Sequence, residues 1–294
     1  MRQDSRTISS AAIVGLGTIG CSIGLDLRAQ GWRVDGYDCN RFHAGLARRM
    51  GAIDREAPSL DALGAPALVI VATPPHAVVD VSLGLLRQGA HVVTDVASIK
   101  SQIAGAIDDP RFVPSHPMAG SEKSGPDGAR ADLFLGATWV VTPSSVTSVE
   151  AVNAVMSMAR AVGSIPLVMD PGAHDDAVAL ISHVPHLAAV AVAALVGDGS
   201  DADEVLELAG RGFRDVTRIA KGDPALWTSI ATGNPALASH LRRLSRLVAA
   251  MAEAVAEGDQ PLLNHLLTRG QAAALRADAI RTMPPAPPAA AESH

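Results

Sequence analysis

Cysteine is nearly absent from this chain of 294 residues, which holds only Cys21 and Cys39. That excludes a disulfide framework and a zinc site of the CxxC type, and two free packing thiols are the expectation. Lysine is scarce too, confined to Lys100, Lys123 and Lys221. Positive charge is not in excess: 24 Lys and Arg stand against 30 Asp and Glu, a formal net charge of -6, so no global field exists to collect nucleic acid or an anionic membrane. Long apolar runs are also missing. The longest uninterrupted one, Leu187 to Val196, falls far short of the roughly 20 residues that span a bilayer. The opening MRQDSRTISS carries no apolar core behind its charges. A soluble, cytoplasmic protein is expected, with no nucleic-acid or membrane partner. The absence of any repeat with a period of roughly 20 to 50 residues excludes solenoids and propellers.

What is present is enough apolar surface for a sizeable core, with 48% hydrophobic and 18% charged residues. From Ala11 to Asp170 short apolar runs alternate with longer amphipathic stretches, the pattern of a parallel sheet wrapped by helices. Strands are expected near 11–14, 33–38, 67–72, 91–95, 111–114, 138–142 and 165–169. Thr73-Pro74-Pro75 suits a helix start, with an oxygen to cap orphan N–H groups, and Gly31, Gly89 and Gly163 sit where helices should stop. After Pro171-Gly172 strand-like segments disappear. His174 to Val196 reads as one long helix that is apolar nearly all round, with further helices at 201–209, 224–231, 234–256 and 260–280. The expected fold class is α/β: a Rossmann-type dinucleotide-binding domain at 9–171, an all-helical substrate and dimerisation domain at 172–282, and a disordered Pro/Ala-rich tail at 283–294. The apolar helices exceed what one small helical layer can bury, which predicts a homodimer.

Gly15-Leu16-Gly17-Thr18-Ile19-Gly20 matches G-x-G-x-x-G between a strand and an amphipathic helix. The first glycine permits a tight turn, the second lets a pyrophosphate approach the backbone, and the third lets helix pack on strand, with the helix N-terminus favouring the anion. Asp38 follows the second strand, where an acid binds the adenosine ribose hydroxyls. The expected cofactor is NAD, held by Gly15, Gly17, Thr18, Ile19, Gly20, Asp38 and Thr73, because a carboxylate at 38 repels a 2′-phosphate. Arg41 nearby can pair with such a phosphate or stay solvated. No metal is expected.

Three further segments stand out: Ser115-His116-Pro117-Met118-Ala119-Gly120-Ser121-Glu122-Lys123-Ser124-Gly125; Asp175 to His186, containing Ser182-His183-Val184-Pro185-His186; and Gly210-Arg211-Gly212-Phe213-Arg214-Asp215-Val216-Thr217-Arg218-Ile219-Ala220, with Trp227 beyond. His116 follows a strand at the carboxyl edge of a nucleotide-binding sheet, where nicotinamide and substrate meet. A neutral imidazole there can take a proton from a substrate hydroxyl as hydride leaves the same carbon. Ser121 and Glu122 follow closely enough to line the same pocket. Arg211, Arg214 and Arg218 form a basic cluster that Asp215 can pair with; the cluster suits either a solvated face or a substrate with two carboxylates, which arginine binds bidentately. His183 and His186 stand three residues apart on a helix near His174 and Asp175, and His183 reads as a satisfied interface histidine.

Together with Asp95-Val96-Ala97-Ser98-Ile99-Lys100, these motifs closely resemble the prephenate dehydrogenase family, which includes arogenate and cyclohexadienyl dehydrogenases. The match runs in order from about residue 11 to about 250. The resemblance implies His116 as catalytic base and Ser98 as the serine that bonds the reacting hydroxyl, although Ser98 also suits a helix N-cap. It implies that Ser182, His186 and Asp175 lie near the substrate and that Arg218 binds a substrate carboxylate, with Arg214, Asp215, Ser121 and Glu122 completing the site. The implied reaction is NAD-dependent oxidative decarboxylation of prephenate to 4-hydroxyphenylpyruvate in tyrosine biosynthesis, or of arogenate to tyrosine. A β-hydroxyacid dehydrogenase is disfavoured, since such enzymes use a lysine on the long interdomain helix and 174–196 has none. A non-catalytic NAD-binding regulator would need neither His116 nor the arginines.

Overall fold

Alternate residues of the central strands go to opposite sides of a parallel sheet, and each side has its own core. In the computed structural model, which describes residues 9–121, 123 and 125–282, β1 (Ser10–Val14) sends Ala11 and Ile13 into one core and Ala12 and Val14 into the other. β4 (Val69–Val71) follows the same two-residue period, with Ile70 on the first side and Val69 and Val71 on the second. Strands buried on both faces need helices on both faces. α1 (Thr18–Ala29) and α5 (Val149–Ala161) supply Cys21, Ile23, Leu27, Val155 and Met158 to one core. α3 (Pro75–Arg87) and α4 (Ser101–Ala106) supply Val78, Leu85, Leu86 and Ile103 to the other.

The remaining strands of this sheet are β2 (Arg33–Tyr37), β3 (Arg55–Glu56), β5 (Val93–Asp95) and β6 (Phe112–Val113), with α2 (Arg41–Arg49) between β2 and β3. The order is β3-β2-β1-β4-β5-β6 and every pairing is parallel. This is the dinucleotide-binding order, with its crevice at the carboxyl ends of the strands where the order reverses beside β1. A single parallel sheet is nevertheless not the whole answer. β7 (Ser115–Pro117), β8 (Thr138–Val141) and β9 (Ile165–Val168) form a second sheet, antiparallel between β7 and β8 and parallel between β8 and β9. His116 therefore lies on a short strand rather than in a loop.

Helix ends largely follow local chemistry. Asn40 caps α2 through Phe42 N at 3.0 Å, and Ser148 caps α5 through Ala151 N at 3.2 Å. Gly31, Gly89 and Gly163 adopt positive φ just past α1, α3 and α5. Thr73 caps nothing: the N-cap of α3 is Pro74 without a side-chain bond. Cys39 is exposed and so is no packing thiol, whereas Cys21 is buried and donates to Leu16 O; burial first, then the charge of Asp38, pushes its thiol up to about 12.

The predicted long helix begins earlier and is broken in pitch. α6 (Pro171–Val178), capped by Asp170 through Ala173 N at 2.9 Å, continues through a π-helical segment at Ala179–His183 into α7 (Val184–Gly197). Pro185 has no N–H to give to the preceding turn, and the wider π turn accommodates it. This run, Pro171–Gly197, is long and apolar enough to cross a membrane by length and composition alone. Counting only uninterrupted apolar residues misses that. Its His174, Asp175, His183 and His186 are all buried; His174 bonds His116 of β7 and Asp175 bonds the start of α4, so this face packs against the protein while Ile181 and Leu195 stand exposed. α8 (Ala202–Glu207), α9 (Arg211–Thr217) and α10 (Pro224–Gly233) follow; α9 turns the arginine segment, which periodicity alone leaves unassigned, into a helix.

By internal contacts the chain forms two compact units, Met1–Leu237 and Ala238–His294. The second holds nearly all of α11 (Leu237–Glu257) and α12 (Gln260–Thr282). The tail expected at 283–294 and Glu122 lie outside the described residues.

Candidate active site

The glycine-rich turn has the shape a dinucleotide requires. Gly15 has φ +94°, and a Cβ there would stand 2.5 Å from Ala72 O. A Cβ on Gly20 would meet Gly15 O at 2.0 Å, so the start of α1 lies directly on the turn, whereas around Gly17 nothing lies within 4 Å. Gly17 thus leaves an open cradle at the helix N-terminus. Asp38 accepts from Leu16 N and Asn40 N, both at 2.7 Å, which fixes the carboxylate beside the turn with lone pairs to spare for hydroxyl donors. Thr73 Oγ1 is buried without a partner among the described residues. An open cradle, a fixed acid and an orphaned hydroxyl fit a bound dinucleotide. The Thr18 hydroxyl is occupied otherwise: it is shared between Lys123 O and Gly125 O, both at 2.8 Å. Farther along α1, Ser22 Oγ accepts from Arg130 N at 3.1 Å and Asp26 Oδ1 from Asp132 N at 2.9 Å. One face of the cofactor helix thereby holds Lys123, Gly125, Arg130 and Asp132 by their backbones.

A chain of hydrogen bonds runs inward from His116. Its Nδ1 lies 3.0 Å from His174 Nε2, and His174 Nδ1 lies 2.9 Å from Asp175 Oδ1. Asp175 also accepts from Lys100 N at 2.7 Å and Ser101 N at 2.8 Å, and so caps α4 from a position 75 residues away. Burial pushes the Asp175 carboxyl up, but these donors together outweigh it and hold it below the usual range. A carboxylate only accepts, so His174 carries its proton on Nδ1 and offers a lone pair at Nε2. His116 then carries its proton on Nδ1, leaving Nε2 as the base. Burial, then the neighbouring His174 ring and the Lys100 charge, pushes the His116 imidazole well below its ordinary range.

Asp175 is thus consumed in orienting the base, and its donors leave it little capacity for a substrate. Ser98 is half-buried in the loop before α4 and does not cap that helix, whose N-cap is Lys100.

A cavity of about 320 Å³ gathers Ser121, Ser182, His186, Arg218 and Trp227. The π-helical segment presents Ser182, and His186 stacks on Trp227 with ring centroids 3.4 Å apart and planes 11° apart. Gly222 makes that stack possible, because a Cβ there would stand 2.6 Å from Trp227 Nε1 and 3.1 Å from His186 Cε1. Arg214 and Asp215 do not line this cavity, nor do His116, Ser98 and Asp175; Asp215 instead faces Arg211 at 3.8 Å in an exposed pair, worth little in water. His183 is not the satisfied histidine that its spacing suggests. Its Nδ1 lies 3.3 Å from Asn234 Nδ2, while its Nε2 is buried without a partner among the described residues. Burial lowers its pKa to about 4.

Sequence reasoning passes over His174, Asp95 and Lys100. The available signal was a His-Asp dipeptide in an apolar helix and two charges flanking the apolar D-V-A-S-I-K segment, both costly unless paired.

Two family models cover most of the chain: "Prephenate dehydrogenase, nucleotide-binding domain" matches residues 23–165 and "Prephenate dehydrogenase, dimerization domain" matches residues 170–269. Prephenate dehydrogenase of Bacillus subtilis is 35% identical over 241 residues, 76% of this chain and 63% of that protein. This chain therefore spans a little under two thirds of that relative. Cyclohexadienyl dehydrogenase of Zymomonas mobilis is 30% identical over 86% of this chain and 91% of its own length. The structure of Aquifex aeolicus prephenate dehydrogenase in complex with hydroxyphenyl propionate and NAD+ superposes with a TM-score of 0.87 at 26% identity, over 93% of this chain and 99% of that one. On its motifs, its fold and these matches together, the chain belongs to the prephenate dehydrogenase family.

Proposed function

We propose that this protein catalyses the NAD-dependent oxidative decarboxylation of prephenate to 4-hydroxyphenylpyruvate. The observation that carries the reading is the hydrogen-bonded chain from Asp175 through His174 to His116, which leaves an imidazole lone pair at the carboxyl edge of a dinucleotide-binding sheet. NAD, when bound, accepts the hydride from ring C4. His116 Nε2 takes the C4 hydroxyl proton, and Asp175 stabilises the resulting imidazolium through His174. As the C4 oxygen becomes a carbonyl, the ring carboxylate departs as carbon dioxide, the electron pair it leaves aromatises the ring to a phenolate, and His116 returns its proton to that oxygen to give the phenol. Arg218 pairs with a substrate carboxylate, and Ser98 bonds the reacting hydroxyl. Ser121, Ser182 and His186 orient the rest of the molecule in the cavity.

Asp38 favours NAD over its phosphorylated form. The division into a nucleotide-binding part at 9–171 and a helical part at 172–282 is supported by the limits of the two family matches. We read the protein as a cytoplasmic homodimer, in keeping with the dimerization model and the metabolic relatives. Arogenate differs from prephenate only in bearing an ammonium where prephenate has a keto group, and it is the alternative substrate. Steady-state NADH formation with each substrate and each cofactor tests the reading. Higher kcat/KM with prephenate and NAD supports it; preference for arogenate shifts the substrate; no turnover with either refutes it.

A further inference from the structure

Lys100 lies entirely out of solvent, as does Asp95. Its ammonium donates to the Asp95 carboxylate and, at 2.9 Å, to Ser115 O. Asp95 in turn accepts from Ser115 N at 3.2 Å and Ala97 N at 2.9 Å, and its carbonyl accepts from Ser115 Oγ at 2.7 Å. The backbone N–H of Lys100 donates to Asp175. Three segments therefore meet on one residue: the loop carrying Ser98, the strand carrying His116 and the helix carrying His174 and Asp175. Taking both ions out of water is expensive, and a well-packed apolar pair generally serves stability as well or better. Core packing alone therefore gives no reason for a lysine here.

We propose that Lys100 is a positioning residue for the reaction, its ammonium clamping Asp95 and the Ser115 carbonyl so that His116 is held against the Ser98 loop and the His174–Asp175 pair. The clamp has an electrostatic consequence. The groups around His116 are His174 and Asp175 of α6, His183 of the π segment, and the Lys100–Asp95 pair; burial pushes Asp95 up and Lys100 down, and each is held back by the other's charge. Two acceptors, the Asp95 carboxylate and the Ser115 carbonyl, face the lysine nitrogen, the surroundings of an ammonium. A fixed positive charge next to His116 disfavours imidazolium and keeps the base neutral.

This inference rests on His116 being the base, so His116→Asn is assayed in parallel: if that variant keeps its acid limb, the base assignment fails whatever Lys100 does. Lys100→Met removes the charge at similar length, and Lys100→Met/Asp95→Asn also removes the carboxylate left unpaired. Both should lower kcat at least tenfold while the NAD dissociation constant and the prephenate KM stay within threefold. The acid limb of the pH profile should move to higher pH in both. Lys100→Arg should return the limb toward its original position. The double variant should regain thermal stability over Lys100→Met without regaining kcat. A folded double variant with near-normal kcat and an unmoved limb overturns the proposal and leaves only a core ion pair. Should neither variant fold, nitrogen-15 NMR of lysine-labelled unmodified enzyme decides: a charged ammonium at Lys100 at pH 7 supports the clamp, and a neutral amine there overturns it.

Discussion

A neutral imidazole accepts a proton only through the nitrogen that lacks one, and Asp175 and His174 decide which nitrogen of His116 that is. Replacing His174 by Ala removes the acceptor for His116 Nδ1–H and frees the ring to turn. In steady-state assays kcat should fall roughly ten- to a hundredfold, within the range for general acid–base catalysis, with little change in KM. Buried neutral histidines also tie stability to acid. The His183 pKa is depressed to about 4 and that of His116 is well below 6.5, so the unfolded chain binds more protons below pH 6.5. Stability from these groups is complete above that pH and is lost as pH falls toward their folded values, by up to about 1.4 kcal/mol per pH unit for each histidine. Thermal melts between pH 7 and 4 should show the midpoint falling across that window. At this scale the sequence names His116, His186 and Arg218 because each sits in a local motif. It does not reveal His174 as a partner of His116 or Lys100 as a partner of Asp175, because those contacts join residues 58 and 75 positions apart.

The elements most legible in the sequence are the strands β1, β2, β4, β5, β8 and β9, whose apolar runs are bounded by turn residues. β6 falls inside the strand expected at 111–114, whereas the two-residue β3 and the short β7 carry little or no periodicity of their own; pairing with a neighbour defines them. The π-helical segment is equally hidden, since apolar spacing is compatible with either pitch, yet it sets where Ser182 points. The glycine-rich turn offers a sharper test. An Ala at Gly20 would bring its Cβ 2.0 Å from Gly15 O, while an Ala at Gly17 meets nothing within 4 Å. Gly20→Ala should therefore lower the melting temperature and abolish tight NAD binding. Gly17→Ala should melt normally yet bind NAD at least tenfold more weakly in a fluorescence titration, because its methyl occupies the cradle rather than the fold.

At the scale of the whole molecule, the dinucleotide-binding architecture follows from the alternation before Pro171 and the run of helices from the disappearance of strand signals after it, whereas the division between the two compact units falls at Leu237, which no strand signal marks. What the linear pattern leaves open is how much apolar helix remains uncovered. Leu195 is 81% exposed and Leu208 86%, and in the second unit Val255 and Leu275 are exposed as well. Single exposed leucines are ordinary, but so many on consecutive helices call for a partner surface. Light scattering should give the mass of a dimer down to low micromolar concentration; a monomer mass independent of concentration would contradict the assembly.

The measurement that reaches the centre of the account is the pH dependence of prephenate turnover in the unmodified enzyme and in His116→Asn. The unmodified protein should lose activity on the acid side with a midpoint below the ordinary imidazole value of 6.5, since an imidazolium cannot accept the hydroxyl proton. His116→Asn should bind NAD normally, lose roughly 10²- to 10⁴-fold in kcat, and show no acid limb. A variant that keeps near-normal kcat with the limb in place would remove His116 from the chemistry and contradict the mechanism built on it.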